Sequence, residues 1–136
     1  MTHDEMQLAI AHLLGWVQLT ERPAEEFPRV LAGLLDVDPA NYWQDPADPE
    51  SGFHADPFPD WPNDIAVCFR DLVPVARERG WGYFINGPVP GTKDTVVQAG
   101  FFQGIEGSTI HAGYDDHPAR ALCEAWLAGP GKEVAS

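Results

Sequence analysis

The chain is poor in cysteine and in bases, and it has no long apolar run. Cys68 and Cys123 are the two thiols in 136 residues, and each sits among apolar neighbours at helical spacing. They read as buried free thiols, with neither a CxxC pair nor zinc-type spacing, so no disulfide framework is expected and the compartment expected is cytoplasmic. No stretch approaches the roughly 18 apolar residues of a membrane span. The opening MTHDEMQLAI carries acids where an export signal carries Lys or Arg, so no such signal is expected. Eight bases face 21 acids, a net charge of −13. A field of that sign repels phosphate backbones at long range, so direct nucleic-acid binding is not expected.

The acids are unevenly placed. Residues 1–64 hold thirteen Asp and Glu against Arg22 and Arg29, a net of −11, whereas residues 65–136 carry a net of −2. Solubility is the plain consequence. The sharper one is a protein partner with a basic surface. The oligomeric state stays open, a homo-oligomer included. A hydrophobic content of 44%, with five Trp and seven Phe, supplies a core for one domain without a metal or disulfide.

Thr2 and Glu5 form a capping-box pattern ahead of Met6, Ala9, Ile10, Leu13, Leu14 and Val17, which predicts a first helix over about 3–17. Phe27, Val30, Leu31, Leu34 and Leu35 make an apolar stripe in a second helix from Pro23 to Leu35, with Pro28 able to shift its start. Residues 36–63 hold six prolines, many acids and no Lys or Arg, so neither a helix nor a central strand runs through them. Tyr42, Trp43, Phe53, Phe58 and Trp61 are too many aromatics for a plain linker. The segment reads as a loop with its aromatics tucked in, or as a partner-binding segment, or as disorder.

A third helix follows from a cap at Asn63 or Asp64, with Ile65, Cys68, Phe69, Leu72 and Ala76 on one face and Gly80 as its stop. Pro74 predicts a kink or an early break. WGYFING, DTVVQAGFFQ (94–103) and STIHAGY predict an antiparallel meander, with turns at Pro90-Gly91 and Glu106-Gly107 and a bulge or close approach at Gly100. Apolar residues of both parities in the middle strand imply cover on both sheet faces, at least in part. A last helix starts at Asp115–Pro118 and carries Ala119, Leu122, Cys123, Trp126 and Leu127. Gly129-Pro130-Gly131 ends it, leaving 129–136 as a flexible tail.

LLGW (13–16), NDIAVCFRDL (63–72) and HPARALCEAWL (117–127), with Pro118, Ala121, Leu122, Cys123 and Ala125 in the closing helix, give the chain its likeness. It resembles the phage ABA sandwich domain proteins over roughly 1–20 and 60–128, and departs from them at 21–60. The resemblance implies a phage or prophage setting and no established reaction. With the elements above, it implies an α/β (α+β) fold, a three-layer α-β-α sandwich around an antiparallel sheet of about three strands. The domain would cover 1–128, with the acidic loop at 36–63.

No catalytic motif assembles. Asp115, Asp116 and His117, near His111, could serve metal-assisted hydrolysis, but one Asp capping the last helix explains them as well. Asp45, Asp48, Glu50, His54 and Asp56 lack an EF-hand pattern, so neither a metal nor a cofactor is expected. Tyr83, Phe84, Phe101 and Phe102 suggest a stacking platform, against which the charge and core packing both argue. The first functional expectation is therefore non-catalytic protein binding through Tyr42, Trp43, Asp45, Asp48, Glu50, Asp56, Phe58, Asp60 and Trp61, by which the chain would inhibit a host or defence protein. The second is a nucleotide-type small molecule held by Arg70, Arg77, Arg79, Lys93 and Arg120.

Overall fold

The computed structural model describes residues 1–55, 58–87, 96–104 and 107–135. Asp56, Lys93, the Pro90-Gly91 turn and Glu106 lie outside the described residues. Among the described residues the fold is mixed α+β with two three-stranded antiparallel sheets, in keeping with an α/β sandwich. The chain divides into two compact units, Met1–Ile10 with Pro59–Ser136, and Ala11–Phe58. The second unit takes in most of 21–60.

In the larger unit, α1 (His3–Leu13, belonging here as far as Ile10) begins with Thr2 Oγ1 accepting the Glu5 N–H at 3.2 Å. It stops four residues before the expected Val17. His3 Nε2 lies 2.6 Å from Asp60 Oδ1. That hydrogen bond holds the imidazole above its ordinary 6.5 and the carboxylate below its ordinary 3.8. The His3 contribution to stability is therefore present below 6.5 and lost as pH rises through its raised value. The Asp60 contribution is present above 3.8 and lost as pH falls through its lowered value. Half-exposure keeps the pair's effect small. The urea midpoints of wild type and His3→Ala should differ most between about pH 4 and 6.5 and converge toward pH 8.

Helix α3 (Ile65–Glu78) starts with Asp64 accepting the Ala66 N–H. It ends in a Schellman motif: Gly80 (φ +86) donates to Arg77 O and Trp81 donates to Ala76 O. Pro74 does not break it. The proline is exposed and the helix continues past it to Glu78, although it has no N–H to donate to the preceding turn. Strands β4 (Gly82–Asn86), β5 (Val97–Gln103) and β6 (Thr109–Asp115) form the predicted meander in regular antiparallel register. Gly100 marks a close approach rather than a bulge, since a Cβ there would meet His111 O and the Phe84 ring.

Helix α4 (Pro118–Ala128) covers the Ala99, Phe101 and Gly113 face of this sheet and buries Leu122 and Trp126. Phe102, Ile110 and Tyr114 point the other way and are exposed. Among the described residues this second face is covered in part, with Phe84 half-buried and Gly100 buried. Cys68 and Cys123 are buried free thiols with sulfurs 3.8 Å apart, and their hydrogen bond together with burial pushes the Cys123 thiol up. The expected tail is instead α5 (Pro130–Ala135), with Pro130 and Gly131 buried. Pro130 restarts a helix where it was expected to end one, because its fixed φ suits a first turn. Among the described residues no helix is long and apolar enough to cross a membrane.

The smaller unit holds β1 (Val17–Gln18), α2 (Phe27–Leu34), β2 (Trp43–Gln44) and β3 (Phe53–His54), with the strands in order β1-β2-β3. Short 3₁₀ turns at Leu19–Glu21, Pro39–Asn41 and Pro49–Ser51 join them. Each described proline of this unit sits in a first turn or a loop, so the stretch expected to be a single loop carries a ladder after all.

Candidate functional site

The smaller unit holds itself together with little apolar burial. Leu19 donates its N–H to Tyr42 O at 2.9 Å, and Gln18 Nε2 donates to Ala40 O at 2.7 Å. Arg29 reaches back from α2 to the carbonyls of Thr20 and Arg22, at 3.1 Å each. Arg22 lies 3.9 Å from Glu26. Both cations of this unit thus serve its own structure. The nine acids between 11 and 58 include Glu25, Asp36, Asp38 and Glu50, all exposed or half-buried at the surface.

Beside α2 runs a groove of about 310 Å³. Phe27, Leu31 and Leu35 form one wall at i, i+4 and i+8, and Leu19, Tyr42 and Phe53 belong to the rest of the lining. The helix turns much of its apolar surface outward, with Phe27 74%, Leu34 78% and Leu35 63% exposed. Ala32 is its one buried residue. A stripe of this kind ordinarily faces a core, and here it faces solvent. Asp36 ends the helix at φ +54, while Asp36 N–H donates to Gly33 O and Val37 N–H to Ala32 O. This is the Schellman position that glycine favours. Asp36 also places a negative charge at the negative end of the helix dipole.

The structure sorts the residues expected to bind a partner. Tyr42 lines the groove. Trp43 is buried, in edge contact with His12 and with Phe58, which also packs against Trp16. Trp61 is fully buried in the larger unit, and Asp60 lies beside it in sequence, bonded to His3. Asp48 and Glu50 are exposed, and Asp45 accepts the Ala47 N–H. Trp43 and Trp61 are therefore core rather than contact surface, and Asp56 lies outside the described residues. The residues that do form an apolar surface, Phe27, Val30, Leu31, Leu34 and Leu35, carry a helical period in the sequence. Periodicity marks a stripe without saying what covers it.

Among the described basic residues, Arg70, Arg79 and Arg120 are engaged within the protein. Arg70 pairs with Asp71 at 2.8 Å, and Arg79 donates to Glu133 O at 3.3 Å. Arg79, the C-cap of α3, lies nine positions after Arg70, roughly 14 Å along the axis. Arg120 is held by Asp115 at 3.4 Å and Glu124 at 3.8 Å, and donates to Met1 O. Asp115 also accepts the His117 N–H at 3.0 Å, which opens α4, so this carboxylate serves the helix start. Among the described residues no three His, Cys, Asp or Glu side chains gather into a metal-holding group. The four strand aromatics do not share a face: Tyr83 pairs with Phe101 on one side, while Phe84 and Phe102 stack on the other. Comparisons with known families, with curated proteins and with solved structures each find no match.

Proposed function

We propose that this chain is a non-catalytic binding protein, a cytoplasmic accessory factor of phage or prophage type that engages a protein with a basic surface. The observation that supports this reading is the smaller unit. It combines exposed apolar side chains on α2 with nine acids against two bases, and both bases are occupied internally. Apolar contact supplies affinity at such a surface, and uncompensated charge steers the partner and selects it. A nucleotide-type ligand is less well supported, because Arg70, Arg79 and Arg120 are engaged by the protein itself.

Native mass spectrometry of the chain purified from its own host tests the proposal. The expected result is a complex with a basic protein that dissociates as salt rises past about 0.15 M, where the Debye length falls to about 8 Å. A bare chain, a bound small molecule alone, or a complex indifferent to salt would sink it.

A further inference from the structure

We infer that the α2 groove is a docking site for an amphipathic, basic helix of the partner. The inference rests on the binding reading above and names where and how that binding occurs. The wall Phe27–Leu31–Leu35 is an i, i+4 ridge, the relief into which a second helix packs its own side-chain rows. The groove's volume lies at the lower end of the roughly 300–1,000 Å³ of small-molecule sites. That suits the anchor side chains of a peptide. An extended peptide would need a strand edge, and the ladder of this unit offers strands of two residues each.

Charge selects the occupant. Asp36 and Asp38 flank the groove-lining Val37, Glu25 precedes Phe27 by two residues, and Glu50 precedes Gly52 by two. Two copies meeting on this face would bring like charges together, as would an anionic lipid surface. A helix carrying Lys or Arg beside its apolar stripe instead finds opposite charge at both ends of the groove. Asp36 is the informative residue. It occupies a left-handed position and sits at the wrong end of a helix dipole, so it costs local stability on two counts. Its position at the rim gives that charge a use.

The test uses the full chain and three synthetic probes. One is a Leu/Lys peptide of about 18 residues with leucines at i, i+3, i+4 and i+7. The second is a scrambled peptide of the same composition, and the third is polylysine. Titration calorimetry should show the patterned peptide binding at least about tenfold more tightly than either control. Leu35→Ser, at an exposed position that lines the groove, should lose about tenfold. Asp36→Asn should lose about two- to threefold at low salt and little at high salt. Asp36→Gly should unfold later than wild type while binding as weakly as Asp36→Asn, which separates the rim charge from a folding role.

Equal binding of patterned and scrambled peptides, or a Leu35→Ser variant that binds like wild type, overturns the groove. If polylysine still binds in that case, recognition of a basic surface survives without it. If no cationic probe binds at low salt, both readings fall. Self-association abolished by Leu35→Ser, or binding to neutral phosphatidylcholine vesicles, would give the face to a second copy or to lipid and overturn the inference.

Discussion

Trp61→Ala is expected to lower the unfolding free energy by about 3–5 kcal/mol, a large share of the roughly 5–15 kcal/mol that a domain possesses. Trp61 is fully buried. Its indole N–H donates to Asp71 Oδ2 at 2.9 Å, and its carbonyl accepts from the Cys68 thiol at 3.0 Å. Truncation opens a cavity the size of an indole, and it also removes a donor from a half-buried carboxylate. Burial pushes Asp71 up, and the hydrogen bonds from Arg70 and Trp61 outweigh it, so the group sits below its ordinary value. Trp61→Phe keeps most of the volume and loses the donor, so it should cost less, about 1–3 kcal/mol. Urea unfolding followed by circular dichroism gives both numbers. A partner-binding tryptophan would behave differently: its alanine variant would keep the wild-type midpoint and lose the complex.

The contrast between Trp61 and Leu34 shows how far the sequence could be read. Helices α3 and α4 and the meander β4–β6 were legible because each is long enough to display its period, and Asp64, Gly80 and Pro118 mark ends by their own backbone chemistry. The strands β1, β2 and β3 were not. Each is two residues long, too short for alternation, and their partners, such as Val17 and Gln44, are distant in sequence. Proline density from 36 to 63 suggested a loop, and proline is tolerated in the first turns of 3₁₀ segments that a propensity argument does not resolve. Aromatic content there suggested a contact surface. Trp43 and Trp61 instead went inside, and the exposed apolar surface came from α2, where a regular stripe ordinarily implies a core. Burial of a stripe depends on which element arrives to cover it, and that is a tertiary property.

Gly113→Val should cost at least as much as the upper end of the roughly 1–3 kcal/mol usual for overpacking a core. Gly113 faces α4 from the middle of β6, opposite Ala99, and a Cβ built on it would run into the carbonyl oxygen of Ala121. That oxygen belongs to helix backbone, so no rotamer change can relieve the clash, and α4 itself must move. The helix comes this close because Ala119, Ala121 and Ala125 are small and fully buried, and it carries Leu122 and Trp126, buried as well. Lifting it would part those side chains from their neighbours and lengthen the Trp126 indole bond to Leu72 O, now 3.1 Å. Gly33 supplies the matched control. It lies exposed in α2, and a Cβ added to it would meet nothing within 4 Å, so Gly33→Ala should raise stability by about 0.5–1 kcal/mol. Opposite signs for the two glycines in thermal unfolding would establish that Gly113 is held by contact with α4. A Gly113→Val variant that melts with wild type would mean that α4 lies farther from β6 than this packing requires.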